Sequence, residues 1–367
     1  MLPISVCIIA KNEEKYINEC LHRLSPYDWE IVVVDTGSTD KTIEIAKQYT
    51  PHVYHFNWIN DFSAARNYAV SMAKNDYILM VDCDEYLESD ADTYKFLSEL
   101  PAKITSTQIG TVNLFNITEA SSEESVNASF GIIQEQIARF FHRKYIHYSG
   151  AIHEQLTAIT NPETPLTFIP LPLTFNHVGY STMDIKRIKA ARNISMLKDE
   201  LAKNSCNPYI LFQLGQSYFG LNNYQEALPY FEKALALDVN EQENYVQTLV
   251  ESYGYCLLNL KQYSRALELE GIYSIFSGHA DFVFLMGLIY MNNALFDNAI
   301  EEFLKATRIC SYSVEGVNSY KAFYNIGVIY ECIGNKQQAI DYYKQCGNYP
   351  PALERITQCT LKETNIK

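Results

Sequence analysis

Two aspartates at spacing two, in Val81-Asp82-Cys83-Asp84-Glu85, follow directly on the apolar run Ile78-Leu79-Met80. Carboxylates at the end of a buried strand are oxygen donors suited to a hard divalent cation, which typically bridges protein to substrate phosphates. The same acids also read as a solvated, capped strand end, and their spacing alone leaves both readings open. Other residues fit for chemistry recur at similar places. Ala10, Lys11, Asn12 and Glu13 follow the run Ile4 to Ile9, and Asp35 ends Glu30-Ile31-Val32-Val33-Val34 before the turn-forming Thr36-Gly37-Ser38-Thr39-Asp40. Arg66 stands in Ala64-Ala65-Arg66-Asn67, His153 and Glu154 in the segment 149–156, and His177 closes the apolar stretch 166–176.

The elements that must hold these residues alternate through the first eighty positions. Residues 4–9 and 30–35 are short β-branched runs, and 53–58 and 76–82 continue the series as strands. Helical patterns separate them: one carrying Ile17, Leu21 and Leu24 on one face, one over 41–49 opened by the Thr36–Asp40 cap cluster, and one over 62–74. Continuous apolar strands alternating with helices predict an α/β, Rossmann-like, mostly parallel sheet covered on both faces. Ligands of such sheets sit at the carboxyl ends of the strands, where the residues above fall.

From 104 to 176 the pattern becomes strand-like, in 107–117, 136–150, 151–156 and 166–175, with a polar stretch from Glu119 to Ser129 expected as a mobile loop. Arg139 and Arg143 alternate with aromatics there, as phosphate ligands or as surface charge. Ser181 and Asp184 form a capping box for a helix carrying Ile185, Ile188, Ile194, Leu197 and Leu201.

Beyond residue 205 the strand pattern gives way to a repeat. Gly215, Gly254, Gly287 and Gly327 align, each with an alanine twelve residues on (Ala227, Ala266, Ala299, Ala339) and Phe231, Glu270, Phe303 or Tyr343 four further. This resembles the tetratricopeptide repeat, with the copy around 247–280 degenerate because Glu270 replaces the aromatic. The expected division is therefore 1–180, a linking helix over 181–206, and an all-α, tetratricopeptide-like helical repeat domain over 207–367. An uncapped helical array leaves an apolar end, which points to a homodimer through the repeats.

Composition narrows the function. The 367 residues carry 29 Lys and Arg against 43 Asp and Glu, a formal charge of −14, with no basic stripe of the kind a nucleic acid requires. The N-terminus lacks a signal-peptide pattern, and the longest apolar runs fall short of a membrane span. Nine cysteines with no Cys-x-x-Cys pair read as free buried thiols, consistent with a cytoplasmic protein.

The segments around Asn12, Asp35, Arg66 and Asp82, in that order, resemble family 2 glycosyltransferases of the GT-A fold, closely over 3–100 and loosely over 101–180. The resemblance implies that Ala10, Lys11, Asn12 and Glu13 line the nucleotide pocket of a UDP-sugar and that Asp35 contacts base or ribose beside Gly37 and Ser38. It further implies that Arg66 falls near the diphosphate, and that Asp82, Cys83 and Asp84 touch the ribose and hold Mn²⁺ or Mg²⁺. His177 is the candidate extra metal ligand, against the simpler reading of a hydrogen-bonded structural histidine. The family inverts the anomeric centre with an acidic base; Glu154 is the first choice, in a segment similar to repeat-bearing and envelope-sugar members, and Glu135 the second. A buried Glu154 holding backbone N–H groups is the alternative.

The whole layout resembles the sublancin-type S-glycosyltransferases, which glycosylate Cys or Ser of ribosomal peptides. That implies a metal-dependent, inverting hexosyl transfer to a peptide or protein acceptor. A cell-envelope saccharide or lipid acceptor, or a repeat scaffold with a vestigial transferase domain, are the alternatives.

Overall fold

The computed structural model describes residues 2–88, 93–105, 107–116, 133–162, 164–178 and 183–364. The polar stretch Glu119 to Ser129 and the Ser181 cap lie outside them. The chain divides into two compact units, one through Lys186 and the other from Arg187 onward.

The first unit begins with the expected alternation: β1 (Ile4–Ala10), α1 (Ile17–Leu24), β2 (Glu30–Asp35), α2 (Thr42–Tyr49), β3 (Val53–His55), α3 (Phe62–Met72) and β4 (Tyr77–Met80). It continues through β5 (Glu85–Glu88), α4 (Thr93–Lys103), β6 (Gln108–Asn116), β7 (Ile133–His142), β8 (Ile146–Ser149), β9 (Gln155–Ala158) and β10 (Thr167–His177). Eight strands form one sheet in the order β3-β2-β1-β4-β7-β6-β10-β5, while β8 and β9 pair as a separate antiparallel hairpin. The pairings from β3 to β4 and that of β6 with β10 are parallel; β7 and β5 join antiparallel to their neighbours. The sheet is thus mostly parallel, as expected, with the loops after β1 and β2 on its parallel half.

Both faces are covered. Ile4, Val6, Ile8 and Ala10 of β1 share a core with Ile17, Leu21 and Leu24 of α1. Cys7 and the alternate β2 residues Val32 and Val34 face Ala69 and Val70 of α3. Two strands are shorter than the apolar runs suggest. Val81 N–H still reaches Cys7 O at 3.0 Å, but Asp82 N–H turns to Glu85 Oε2 at 3.1 Å, so β4 breaks into a tight turn that starts β5. β3 stops at His55 because it has only β2 to pair against, and His55 lies opposite Asp35, the last residue of β2. Residues 151–154 leave the strand pattern altogether, since His153 adopts a left-handed backbone (φ 50°).

In the second unit α5 (Met183–Lys203), which begins in the first, leads to α6 (Pro208–Phe219) and α7 (Tyr224–Leu235). α8 (Asn244–Asn259) is followed by α9 (Tyr263–Ala266), a 3-10 segment (Leu267–Ile272) and α10 (Tyr273–Phe276). Then come α11 (Ala280–Asn292), α12 (Phe296–Ala306), α13 (Tyr320–Cys332), α14 (Lys336–Gln345) and α15 (Pro350–Thr364). The Gly–aromatic alignment is a packing contact: a β-carbon on Gly215, Gly287 or Gly327 would overlap the ring of Phe231, Phe303 or Tyr343. Gly254 meets Leu285 and Leu269 instead, and the second helix of that degenerate copy is broken around Glu270.

Two tyrosine pairs recur at matching repeat positions. Tyr218 stacks on Tyr230 at 5.7 Å and Tyr330 on Tyr342 at 5.5 Å. On the C-terminal side Ala352 and Cys359 of α15 are buried in one cluster with Ala339, Tyr343 and Cys346. No disulfide joins the nine cysteines, yet Cys206, Cys310 and Cys332 are exposed, correcting the expectation that all are buried. Among the described residues no helix is long and apolar enough to cross a membrane.

Candidate active site

Asp61 caps α3, its Oδ1 accepting from Ala64 N–H at 2.9 Å and from the Ser63 hydroxyl at 2.8 Å. The helix start thus fixed is tied to the segment after β8. Phe62 N–H donates to Ala151 O at 2.8 Å, Asn67 Nδ2 donates to Tyr148 O at 2.8 Å, and Tyr148 N–H donates to Asn67 Oδ1 at 2.9 Å. Between these ties Arg66 is buried, pairing through Nε with Glu154 Oε1 and through Nη2 with Asp82 Oδ1 at 2.9 Å. Burial opposes its charge, but Asp82 and Glu154 more than compensate and keep the guanidinium protonated.

Arg139 approaches the same carboxylate from β7. Gly110 of β6 pairs with Phe140 and Thr111 with Ala138, so Arg139 is the extra residue of a β-bulge. Bulges re-aim a side chain, and here Ile137 and Phe140, three apart, serve one core while Arg139 turns to Asp82 Oδ2 at 2.9 Å and to Glu85 Oε1. Enclosure raises the Asp82 carboxyl, yet Arg66 and Arg139 outweigh it and hold Asp82 well below the usual carboxylate range. Burial instead pushes Glu85, 3% exposed, up to about 7 despite Arg139.

Asp84 faces a different partner. β10 runs antiparallel to β5 with His177 opposite Glu85, and Val178 N–H donates to Asp84 O at 3.0 Å. His177 Nε2 thereby lies 3.4 Å from Asp84 Oδ2. One divalent ion with ligands near 2.1 Å needs adjacent donors about 3 Å apart, and Mg²⁺ commonly takes only one or two protein carboxylates, completing its shell with water and phosphate. The Asp84–His177 pair fits that requirement. Among the described residues no group of three or more His, Cys, Asp or Glu is arranged to hold a metal, and both oxygens of Asp82 face arginines.

The loops after β1 and β2 are laced together. Asn12, with a left-handed backbone (φ 56°), donates its N–H to Ser38 Oγ at 2.9 Å and accepts from Thr39 N–H at 2.8 Å; Glu13 N–H donates to Thr42 Oγ1 at 2.8 Å. Buried Asp35 accepts from the N–H groups of Gly37 at 3.0 Å and Ser38 at 3.1 Å, which shapes the turn, and His55 Nδ1 stands 3.4 Å away. Ala10 O accepts from Thr36 N–H at 2.9 Å, while Cys83 Sγ donates to Ile9 O at 3.6 Å. Lys11 is exposed beside this lacing.

The remaining candidates separate. Glu135 is exposed on β7, four residues and about 13 Å of strand from Arg139. Arg143 donates to Val70 O and Ala73 O at the end of α3, so it caps a helix rather than facing the site. Sequence reasoning passed over Asn67 as a clamp and Glu85 as a partner of Arg139. Three buried donor atoms at the centre have no hydrogen-bond partner among the described residues: Arg66 Nη1, Arg139 Nε and Tyr148 Oη.

Residues 5–150 match the model for glycosyl transferase family 2, and residues 208–240, 280–312 and 320–351 match tetratricopeptide repeat models. The first unit therefore carries a family 2 glycosyl transferase domain, and repeats of the tetratricopeptide type follow it. The chain is similar to the SPbeta prophage-derived glycosyltransferase SunS of Bacillus subtilis, 28% identical over 255 residues, covering 68% of this chain and 57% of that protein. A TPR repeat-containing protein of Synechococcus elongatus is 30% identical over 223 residues, 59% of this chain and 52% of that one. The poly(ribitol-phosphate) beta-glucosyltransferase of Bacillus spizizenii is 31% identical over 149 residues, 37% of this chain and 23% of that protein. The chain spans little more than half the length of the first two of these relatives.

Proposed function

We propose that the chain transfers a hexose from a UDP-sugar to a peptide or protein side chain, Cys or Ser, with inversion and with Mn²⁺ or Mg²⁺ as cofactor. The observation that carries the donor half is the pair of arginines around Asp82, Arg66 buried on α3 and Arg139 partly buried on β7. Arg66 and Arg139 grip Asp82, and each still has one buried nitrogen without a hydrogen-bond partner among the described residues. Buried guanidinium donors of this kind suit a phosphate-bearing ligand. The similarity to SunS, named a glycosyltransferase, supports the peptide acceptor through the resemblance drawn from the sequence.

In the proposed reaction the acceptor sulfur or oxygen forms a bond to the anomeric carbon as the bond from that carbon to the diphosphate breaks. The electron pair of the broken bond leaves on the diphosphate, and the acceptor proton passes to Glu154. Arg66 and Arg139 stabilise the growing negative charge, a role that preorganised donors fill most effectively in a shielded site. Arg66 holds Glu154 through Nε, which fixes the proposed base beside the arginine that meets the diphosphate. Asp84 and His177 would hold the divalent ion, which when bound supplies Lewis-acid charge at the leaving group. The loops carrying Ala10 to Glu13, Asp35, Gly37 and Ser38 would frame base and ribose.

The similarity to a poly(ribitol-phosphate) beta-glucosyltransferase favours a second acceptor, an envelope polymer. Incubation with UDP-glucose or UDP-N-acetylhexosamine and Mn²⁺, offering a Cys- and Ser-containing peptide or a ribitol-phosphate oligomer, separates the two. A peptide mass gain of one sugar, read by mass spectrometry, supports the first acceptor; gain on the oligomer alone overturns it.

A further inference from the structure

Tyr148 is the residue of this centre that no assignment above uses. Its main chain is clamped at both N–H and C=O by the Asn67 side chain, so its position is fixed by α3, the helix that also presents Arg66. Its ring packs edge-on against Phe141 at 5.5 Å and lies under the Arg66 guanidinium, 5.5 Å from ring centre to carbon. The residue is 5% exposed, yet its hydroxyl has no hydrogen-bond partner among the described residues. Buried hydroxyls nearly always find partners, and an orphan marks a place where strain or ligand binding is at work. Burial pushes the phenol up to about 12, so at neutral pH the group is a donor.

The three orphan atoms share a character. Arg66 Nη1, Arg139 Nε and Tyr148 Oη are all donors at neutral pH, two of them on cations. A structural hole filled by an apolar side chain would not need them. An anion with several oxygens would satisfy them together.

We propose that the Tyr148 hydroxyl is a further ligand of the donor's diphosphate, completing with Arg66 Nη1 and Arg139 Nε a three-donor cradle that receives the leaving group. This rests on the glycosyl-transfer reading and deepens it. Tyr148 then touches substrate, holds the diphosphate in register, and meets the charge that grows there as the glycosidic bond breaks. Hydrogen bonds to charged groups are worth a factor of ten or more in affinity. The aromatic ring, by contrast, serves the packing under Arg66 and is retained in phenylalanine.

The test is Tyr148→Phe in the full chain, with UDP and uridine titrated by calorimetry in the presence of Mn²⁺. The variant keeps its fold, and without nucleotide its Tm rises by about 2–4 °C, because an unpaired buried hydroxyl has been removed. UDP binding weakens about tenfold or more, uridine binding is unchanged, and sugar-nucleotide turnover falls through kcat. Equal UDP affinity in Tyr148→Phe and the native chain overturns the role of Tyr148 while leaving the transferase reading in place. Equal weakening of UDP and uridine overturns it too, since that is loss of pocket shape rather than of a diphosphate contact. Absence of UDP binding by the native chain overturns the transferase reading and this inference with it.

Discussion

Arg66 Nη2 lies 2.9 Å from Asp82 Oδ1, joining α3 to the turn after β4. The same guanidinium holds Glu154 through Nε, so one cation from α3 links the acid that follows the sheet strand to the acid proposed as base. Removing one partner of a buried charge pair leaves the other without compensation, which costs about 3–5 kcal/mol.

Arg66→Met should therefore lower unfolding free energy by about 3 kcal/mol, and Glu154→Gln in that background should return part of it. Denaturant titration of the two single variants and the double variant measures the coupling. Glu154→Gln alone should retain UDP binding and lose sugar transfer; retained transfer removes Glu154 from the role of base.

Asp84→Asn keeps size and loses one unit of charge beside His177. It should lower metal-stimulated sugar-nucleotide hydrolysis by about 100-fold or more while the Tm stays within a few degrees of the native value. Hydrolysis rates across a Mn²⁺ titration provide the check, and full activity at ordinary Mn²⁺ concentrations rules Asp84 out as the ligand.

In the repeats, Glu251 on α8 is pushed up to about 7 by burial, with Asp281 adding to the shift and His279 opposing it. The unfolded chain releases this proton near pH 4.5, whereas the folded chain holds it until about 7. Stability tied to Glu251 is thus fully present at low pH and declines as pH rises through that window, by about 3 kcal/mol in total. Glu251→Gln should flatten this part of the stability-versus-pH curve, as followed by denaturant melts between pH 4.5 and 7.5.

Gly287 touches the ring of Phe303, so Gly287→Ala overpacks the crossing of α11 and α12. The expected loss is about 1–3 kcal/mol. Phe303→Leu frees the space, and the double variant should be less destabilised than the sum of the two single changes. Strict additivity in thermal melts argues against the contact.

The sequence made the frame and much of the centre legible, because both depend on local patterns. Apolar runs ending in Asp35 and Asp82 marked strand ends, and glycine, alanine and aromatic spacing marked helix crossings. Arg139 and Arg143 show what local pattern does not reveal. Four residues apart on an apparent strand, they promise the same face, yet the bulge sends Arg139 to Asp82 and the strand's end leaves Arg143 on the carbonyls of α3. A bulge depends on pairing with β6, which no window within β7 records. Asn67 was equally silent, since its partner is the backbone of Tyr148, 81 residues away. The Tyr218–Tyr230 and Tyr330–Tyr342 stacks, by contrast, fall at fixed offsets from Gly215 and Gly327 and follow from the repeat itself.

The central claim is that the first unit binds the diphosphate of a sugar nucleotide with a divalent ion at Asp84 and His177. Calorimetric titration of UDP into the full chain, with Mn²⁺ and again with EDTA, tests it most directly. The expected result is saturable binding that strengthens with Mn²⁺ and is weakened by Asp84→Asn. A flat titration under both conditions would contradict the claim.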